Sequence, residues 1–198
     1  MISPAKEWTV AEVIAIPEDG RRHELVDGVL YINGVAIGRD ELDGLDRART
    51  PSPSLPHQRM VVSLTSALHD YPERQRVGMA MIGPADLQFI PGQLIAPDVF
   101  VLPTPNGKPP HEWEDIRSLH LVIEIVSATT ARLDRVIKRR IYQSAGIPEY
   151  WIVDLDAELI ERWRPDDKRP ESLTEQITWH PAEASEALVI DLEEIFTR

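Results

Sequence analysis

The chain reads as an α/β domain, and three stretches predict that class. Leu119 to Val126 is a nearly continuous apolar run, the signature of a strand covered on both faces. Helical periodicity lies on either side of it. His57, Val61, Leu64 and Leu68 fall on one face, and a basic segment, LDRVIKRRIYQSAG, follows the apolar run. A third stretch, HELVDGVLYI, is a hairpin signal: two strand-like arms around Asp27-Gly28.

Taken in order, Thr9-Val-Ala-Glu12 forms a capping box, with Trp8 and Val13 at the positions of a hydrophobic staple, so a short helix starts there and Pro17 ends it. The hairpin follows, with Glu24 on its first arm. Residues 34 to 50, GVAIGRDELDGLDRART, are rich in Gly and Asp without a clear period and read as a mobile loop. Pro56 suits the first turn of a helix whose buried stripe is headed by His57, with Met60 and Tyr71 beside it. Strand-like pieces near Val77 to Ile82 and Asp86 to Ile90 lead into a central pair, IAPDVFVL and SLHLVIEIVS. After the basic helix, Gly146 suits a C-cap and YWIVD a further buried strand. Residues 158 to 164 and 173 to 179 read as weaker strands around the turn PDDKRPE, and a short acidic helix closes the chain. No repeat, low-complexity tract or linker divides the 198 residues, so one domain over 1–198 is expected.

Glu124 is the one acid in the apolar run, and a carboxylate there is costly to desolvate unless a metal, a cation or a proton accompanies it. If the two central strands are antiparallel neighbours, residues whose numbers sum to 222 face each other, and Asp98 and Glu124 are such a pair. Their side chains would then lie about 5 Å apart on one face, and two acids so placed repel unless something positive sits between them. A parallel arrangement would separate them by roughly 15 Å along the strand. On the basic helix, at about 100° per residue, Asp134, Lys138, Ile141 and Ala145 share a face, flanked by Ile137 and Tyr142. Arg135, Arg139, Arg140 and Gln143 point elsewhere. Lys138 is thus the basic residue on the inward stripe.

Composition narrows the classes. A 42% hydrophobic content with no run of membrane-spanning length fits a soluble protein that does not engage a membrane. Without cysteine, neither disulfides nor thiolate metal sites are possible. MISPAKEWTV has no signal-peptide pattern, and a cytoplasmic location is expected. The formal net charge of -12 argues against tight, nonspecific nucleic-acid binding, although Arg135, Lys138, Arg139 and Arg140 form a local basic strip.

The ordered set HELVDG, a proline-rich stretch before His57, APDVFV, LVIEIVS, D-x-x-x-K-x-x-x-Y and GIPEYWIVD resembles the Uma-type family of restriction-endonuclease-like proteins, within the PD-(D/E)XK nuclease superfamily. It covers roughly residues 8 to 165; each motif alone is weak, and the order carries the specificity. The resemblance implies a restriction-endonuclease-like mixed β-sheet flanked by α-helices and a site of Glu24, Asp98 and Glu124 with a lysine. The superfamily's usual lysine lies two residues after the second acid, where this chain has Val126; the resemblance implies one from the following helix instead. That residue would be Lys138, reached independently from the helical face. The loop at 34–50 is longer than the family pattern.

If the three acids converge, they make an all-oxygen site for a hard divalent ion, Mg2+ or Mn2+, to which the peptide carbonyl of Ile125 could add a ligand. The chemistry would be metal-dependent phosphodiester hydrolysis of DNA, with Lys138 orienting or deprotonating a water or stabilising developing charge. A homodimer would let two sites cut two strands. The plainer readings are a strand-start acid after Pro97 for Asp98, a structural ion pair for Glu124 with Lys138, an exposed hairpin residue for Glu24, a core or capping histidine for His57 and packing for Tyr142. The alternative function is a noncatalytic nuclease-fold protein that acts through protein contacts.

Overall fold

The computed structural model describes residues 7–42 and 45–197. Much of the N-terminal stretch in which no signal pattern was found therefore lies outside the described residues. Helix α1 (Val10–Ile14) starts where the capping box predicts: the Thr9 hydroxyl oxygen accepts from the Glu12 N–H, and the Glu12 carboxylate accepts from the Thr9 N–H. Strands β1 (His23–Val26) and β2 (Val29–Ile32) form the expected hairpin. Its turn needs left-handed backbone at both central residues, and Asp27 and Gly28 supply it with φ of 49° and 75°.

The segment read as a mobile loop is more structured than its composition implies. Val35–Ile37 is a strand, β3, paired antiparallel with β2, and 3-10 turns occupy Arg39–Glu41 and Arg47–Arg49; positions 43 and 44 lie outside the described residues. Three residues are too few for a period to register, which is why this strand escaped the pattern. The small sheet packs Leu25, Leu30, Ile32 and Ile37 against Val13 and Trp8. It joins the rest of the protein through reciprocal backbone bonds between Leu25 and Leu94, 2.8 and 2.9 Å long.

Helix α2 (Leu55–Leu68), with Pro56 in its first turn and Ser54 as N-cap, buries Met60, Leu64 and Leu68, and α3 (Asp70–Arg74) buries Tyr71. The central sheet then follows chain order: β4 (Met79–Ile82), β5 (Val99–Leu102), β6 (Leu121–Val126), β7 (Glu149–Asp154), β8 (Leu159–Trp163) and β9 (Glu171–Leu173). Neighbours are antiparallel except β6 and β7, which are parallel. A parallel pair requires a crossover, and the basic helix provides it.

Two expectations are corrected here. Asp86 to Ile90 is not a strand; only Leu87 bridges to Ile95. Residues 173 to 179 are not one strand either. The turn PDDKRPE leads into β9, whereas β10 (Gln176–Trp179) pairs with β11 (Leu188–Asp191) in a separate two-stranded sheet, before α5 (Leu192–Thr197).

Both faces of the central sheet are covered, so its middle strands are apolar at nearly every position. Val99, Val101, Leu121, Ile123 and Ile125 pack toward α2 and α5. Phe100, Leu102, Val122 and Val126 pack on the opposite face with Leu133, Tyr142 and Tyr150. Glu124 stands in that second row, between Val122 and Val126. The helix opposite it, residues 131–144, contains a wide π turn over Leu133–Lys138, where the Arg139 N–H reaches back to the Asp134 carbonyl, five residues earlier. Its regular continuation, α4, spans Arg139–Ser144. The π turn rotates α4 about the helix axis, so that Tyr142 continues the buried line of Asp134 and Lys138. Ala145, expected inward from an unbroken 100° repeat, is exposed, and Ile141 is half-buried. Among the described residues no helix is long and apolar enough to cross a membrane.

Candidate active site

The antiparallel register pairs Val99 with Ile123 and Phe100 with Val122, the register in which numbers sum to 222. Continued by one residue, it sets Asp98 against Glu124. Asp98 lies just before β5, after Pro97, and its Oδ2 accepts the Ile125 N–H at 2.8 Å. β1 delivers Glu24 to the same place, where Oε1 accepts the Ala96 N–H at 3.0 Å. Glu24 and Glu124 are fully buried and Asp98 nearly so. All three acids predicted from the sequence are therefore brought together.

Lys138 joins them from the π turn. Its ammonium, with no solvent exposure, lies 2.7 Å from Glu24 Oε1, 2.9 Å from Glu124 Oε1 and 3.5 Å from Asp134 Oδ1. Tyr142, read as a packing residue, donates its hydroxyl to Glu124 Oε1 at 3.1 Å. His57 Nε2 lies 3.4 Å from Asp98 Oδ1.

Two members escaped the sequence reading. Asp134, one turn before Lys138, is 1% exposed; it stood on the inward stripe and was not weighed as a site residue. Arg22 reaches Asp98 Oδ1 at 2.8 Å and the Ala96 carbonyl at 3.1 Å, with Glu24 Oε2 at 3.4 Å and Glu124 Oε2 at 3.9 Å. A signal existed, because residues two apart along an extended segment share a face, and Arg22 stands two before Glu24.

Four carboxylates thus meet two cations, and burial, with the excess negative charge added to it, sets their protonation. Burial is the largest influence on Glu124; with Asp134 and Asp98 adding repulsion, it outweighs Lys138 and raises the Glu124 pKa to about 8. Asp134 is raised as well, chiefly by burial. Burial would also raise Glu24, but Lys138 and Arg22 outweigh it and hold that carboxyl below its ordinary value. Asp98 is likewise lowered, burial being overcome by His57, Arg22 and the Ile125 N–H. Burial would pull Lys138 and Arg22 down, yet the surrounding carboxylates keep both above their usual values. In the metal-free cluster Glu124 is therefore shifted toward its protonated form near neutral pH.

Of the other basic side chains of the helix, Arg135 and Arg139 are engaged and Arg132 and Arg140 are exposed. Arg135 binds Asp154 and Glu161, and Arg139 stacks on Trp163 at 4.5 Å and bonds Gln143. Arg140 is exposed and lines a surface cavity with Arg117, Gln93 and Ser144.

The site thus sits in a mixed sheet with helices on both faces, its buried acids at the joint of the central strands. The fold matches the crystal structure of a putative nuclease belonging to DUF820 from Anabaena variabilis ATCC 29413, with a TM-score of 0.70 over 96% of this chain and 97% of that one, at 20% identity. The chain itself belongs to the Uma2 family, described as "Putative restriction endonuclease", whose model matches residues 10–193. No curated protein matches it.

Proposed function

We propose that the protein is a metal-dependent DNA endonuclease that hydrolyses phosphodiester bonds with an activated water, and that Glu24, Asp98, Glu124 and Lys138 carry the reaction. The observation supporting this reading is a pair of buried carboxylate oxygens, Glu24 Oε2 and Glu124 Oε2, that accept no hydrogen bond. Leaving such atoms unpaired is costly unless a cation completes them.

The donor chemistry fits a hard divalent ion, Mg2+ or Mn2+, which takes oxygen ligands. Among the described residues no three of His, Asp and Glu are already arranged to hold a metal ion; Lys138 and Arg22 lie among the acids. Asp98, Glu124 and Glu24 would be the side-chain ligands. The Ile125 carbonyl is a fourth candidate: its N–H points to Asp98, a strand residue's carbonyl points the same way, and Pro97, opposite in the continued register, has no N–H to offer it. When bound, the ion would polarise a phosphodiester oxygen and lower the pKa of a water. Lys138, locked between Glu24 and Glu124, would hold its proton and orient the attacking water or face the developing charge. Tyr142 fixes the Glu124 carboxyl, and the Ile125 N–H fixes that of Asp98.

DNA is the substrate this reading assigns, with Arg132 and Arg140 the exposed helix cations available to a phosphate. Two copies of the chain would serve to cut two strands, and the cytoplasm is where such an enzyme would work. The test is cleavage of supercoiled, linear and branched DNA with Mg2+, Mn2+ or chelator, for wild type beside Glu124→Ala and Lys138→Ala. Metal-dependent cutting absent from both variants is expected. Cutting that survives Glu124→Ala rejects the assignment, and a wild type that neither cuts nor binds metal favours the noncatalytic alternative.

A further inference from the structure

The two cations of the cluster are not equivalent. Lys138 is sealed and bonded to the Oε1 atoms of Glu24 and Glu124. Arg22 retains 17% of its side-chain exposure and faces the other side of the same acids. Its guanidinium comes within 3.9 Å of one oxygen from each of Glu24, Asp98 and Glu124, the three side chains assigned above as ligands. Of the three it makes a good hydrogen bond to Asp98 alone; Glu24 Oε2 and Glu124 Oε2, the atoms nearest it on the glutamates, accept none. An arginine fork pairs best with a single carboxylate in a planar, two-bond geometry. Spread over three, it supplies charge without satisfying the oxygens.

We propose that Arg22 is a resident, displaceable cation: it supplies the positive charge facing Glu24 Oε2, Asp98 Oδ1 and Glu124 Oε2 while no metal is present, and a divalent ion enters by taking its place as the guanidinium swings outward. The inference rests on the metal-site reading and adds a regulatory step to it. The Arg22 backbone is fixed, its N–H bonded to Asn33 Oδ1 and its carbonyl accepting from the Asn33 N–H, both at 2.9 Å. Only side-chain torsions have to change, and the exposed part of the side chain supplies the way out. A guanidinium released there remains tethered at the mouth of the site, where a phosphodiester anion is its natural partner.

The test is a Mn2+ titration read by electron paramagnetic resonance of the free ion at fixed pH, on wild type, Arg22→Gln and Glu124→Gln, with melting curves in chelator. Removing the competitor should tighten Mn2+ binding about tenfold, the factor by which a competent form populated at roughly one part in ten weakens an apparent affinity. Arg22→Gln should melt lower than wild type in chelator and gain more from Mn2+, and Glu124→Gln should bind more weakly. Equal or weaker Mn2+ binding by Arg22→Gln, beside a wild type that binds, overturns the role of Arg22 and leaves the metal site standing. If neither protein binds Mn2+, the metal reading and the displacement fall together. Should Arg22→Gln not fold, Arg22→Lys is read in its place: one ammonium on a shorter side chain cannot reproduce the separate contacts that Arg22 Nε and Nη1 make to Glu24, Asp98 and Glu124, so its Mn2+ affinity should exceed that of wild type, and an unchanged or lower affinity overturns the proposal.

Discussion

Replacing Lys138 with methionine removes the only fully enclosed cation among the described residues while keeping most of its volume. Breaking a buried ionic cluster by deleting one partner costs about 3–5 kcal/mol, because a desolvated charge is left behind. Here the loss should fall at the lower end. Glu124, raised to about 8, already favours its protonated form and does not need the ammonium to remain buried near neutral pH, and burial shifts Asp134 in the same direction. Glu24 is left exposed to the change: its carboxyl is held below the ordinary range chiefly by Lys138 and Arg22 against its burial, and it would retain only Arg22 at 3.4 Å and the Ala96 N–H at 3.0 Å. The expected cost is about 3 kcal/mol, and at about 2–4 °C per kcal/mol for a chain of this size the midpoint should drop by roughly 6–12 °C. Urea denaturation and thermal melting in chelator measure it. Adding Glu24→Gln to Lys138→Met should restore at least half of the loss, since no anion then lacks its partner. A loss below about 1 kcal/mol, the value of an exposed ion pair, or a double variant whose losses simply add, would refute the account of which charge the lysine supports.

Other consequences are equally direct. In the folded protein Glu124 holds its proton up to about pH 8, against an ordinary value of 4.5, so the native state binds the proton that the unfolded chain releases between those values. Its contribution is fully present below pH 4.5 and is lost as pH rises through about 8, with a slope of at most about 1.4 kcal/mol per pH unit. Chemical denaturation of metal-free Glu124→Gln at a series of pH values should show that slope removed. Tyr142→Phe deletes the hydroxyl donated to Glu124 Oε1 and should cost roughly 1 kcal/mol by the same assay, with the fold retained. Gly83 donates its N–H to the Asp98 carbonyl at 2.9 Å, and a Cβ there would collide with the Pro97 carbonyl oxygen. Gly83→Ala should therefore cost roughly 1–3 kcal/mol as overpacking does, and a Mn2+ titration should find weaker binding because Asp98 is moved.

The parts of the site that were legible in the sequence are those governed by short periods. The period of two and the antiparallel register set Asp98 against Glu124, and the helical repeat turned Lys138 inward. The hairpin around Asp27-Gly28 announced itself through its turn residues. The features that escaped depended on contacts between distant segments or on departures from a period. Arg22 precedes a strand and looks like any surface arginine until β1 docks beside Ala96. Tyr142 rather than Ala145 faces inward because the π turn inserts a wider loop of helix, which a fixed angle per residue cannot foresee. β3, three residues long, and β11, whose Val189 is exposed, carry too little pattern to be read alone, whereas the alternation of β10 lay within the stretch 173–179 read as a strand.

The bridge between Leu25 and Leu94 has a further meaning for a protein of this kind. Glu24 reaches the other acids only when the small N-terminal sheet has docked, and it is held there by Ala96, 72 positions along the chain. Lys138 must arrive as well, from a helix that follows β6. A chain still being synthesised, or one that has locally opened, therefore cannot present the complete set of charges. Under the function proposed here, DNA-cutting capacity would be a property of the finished fold alone.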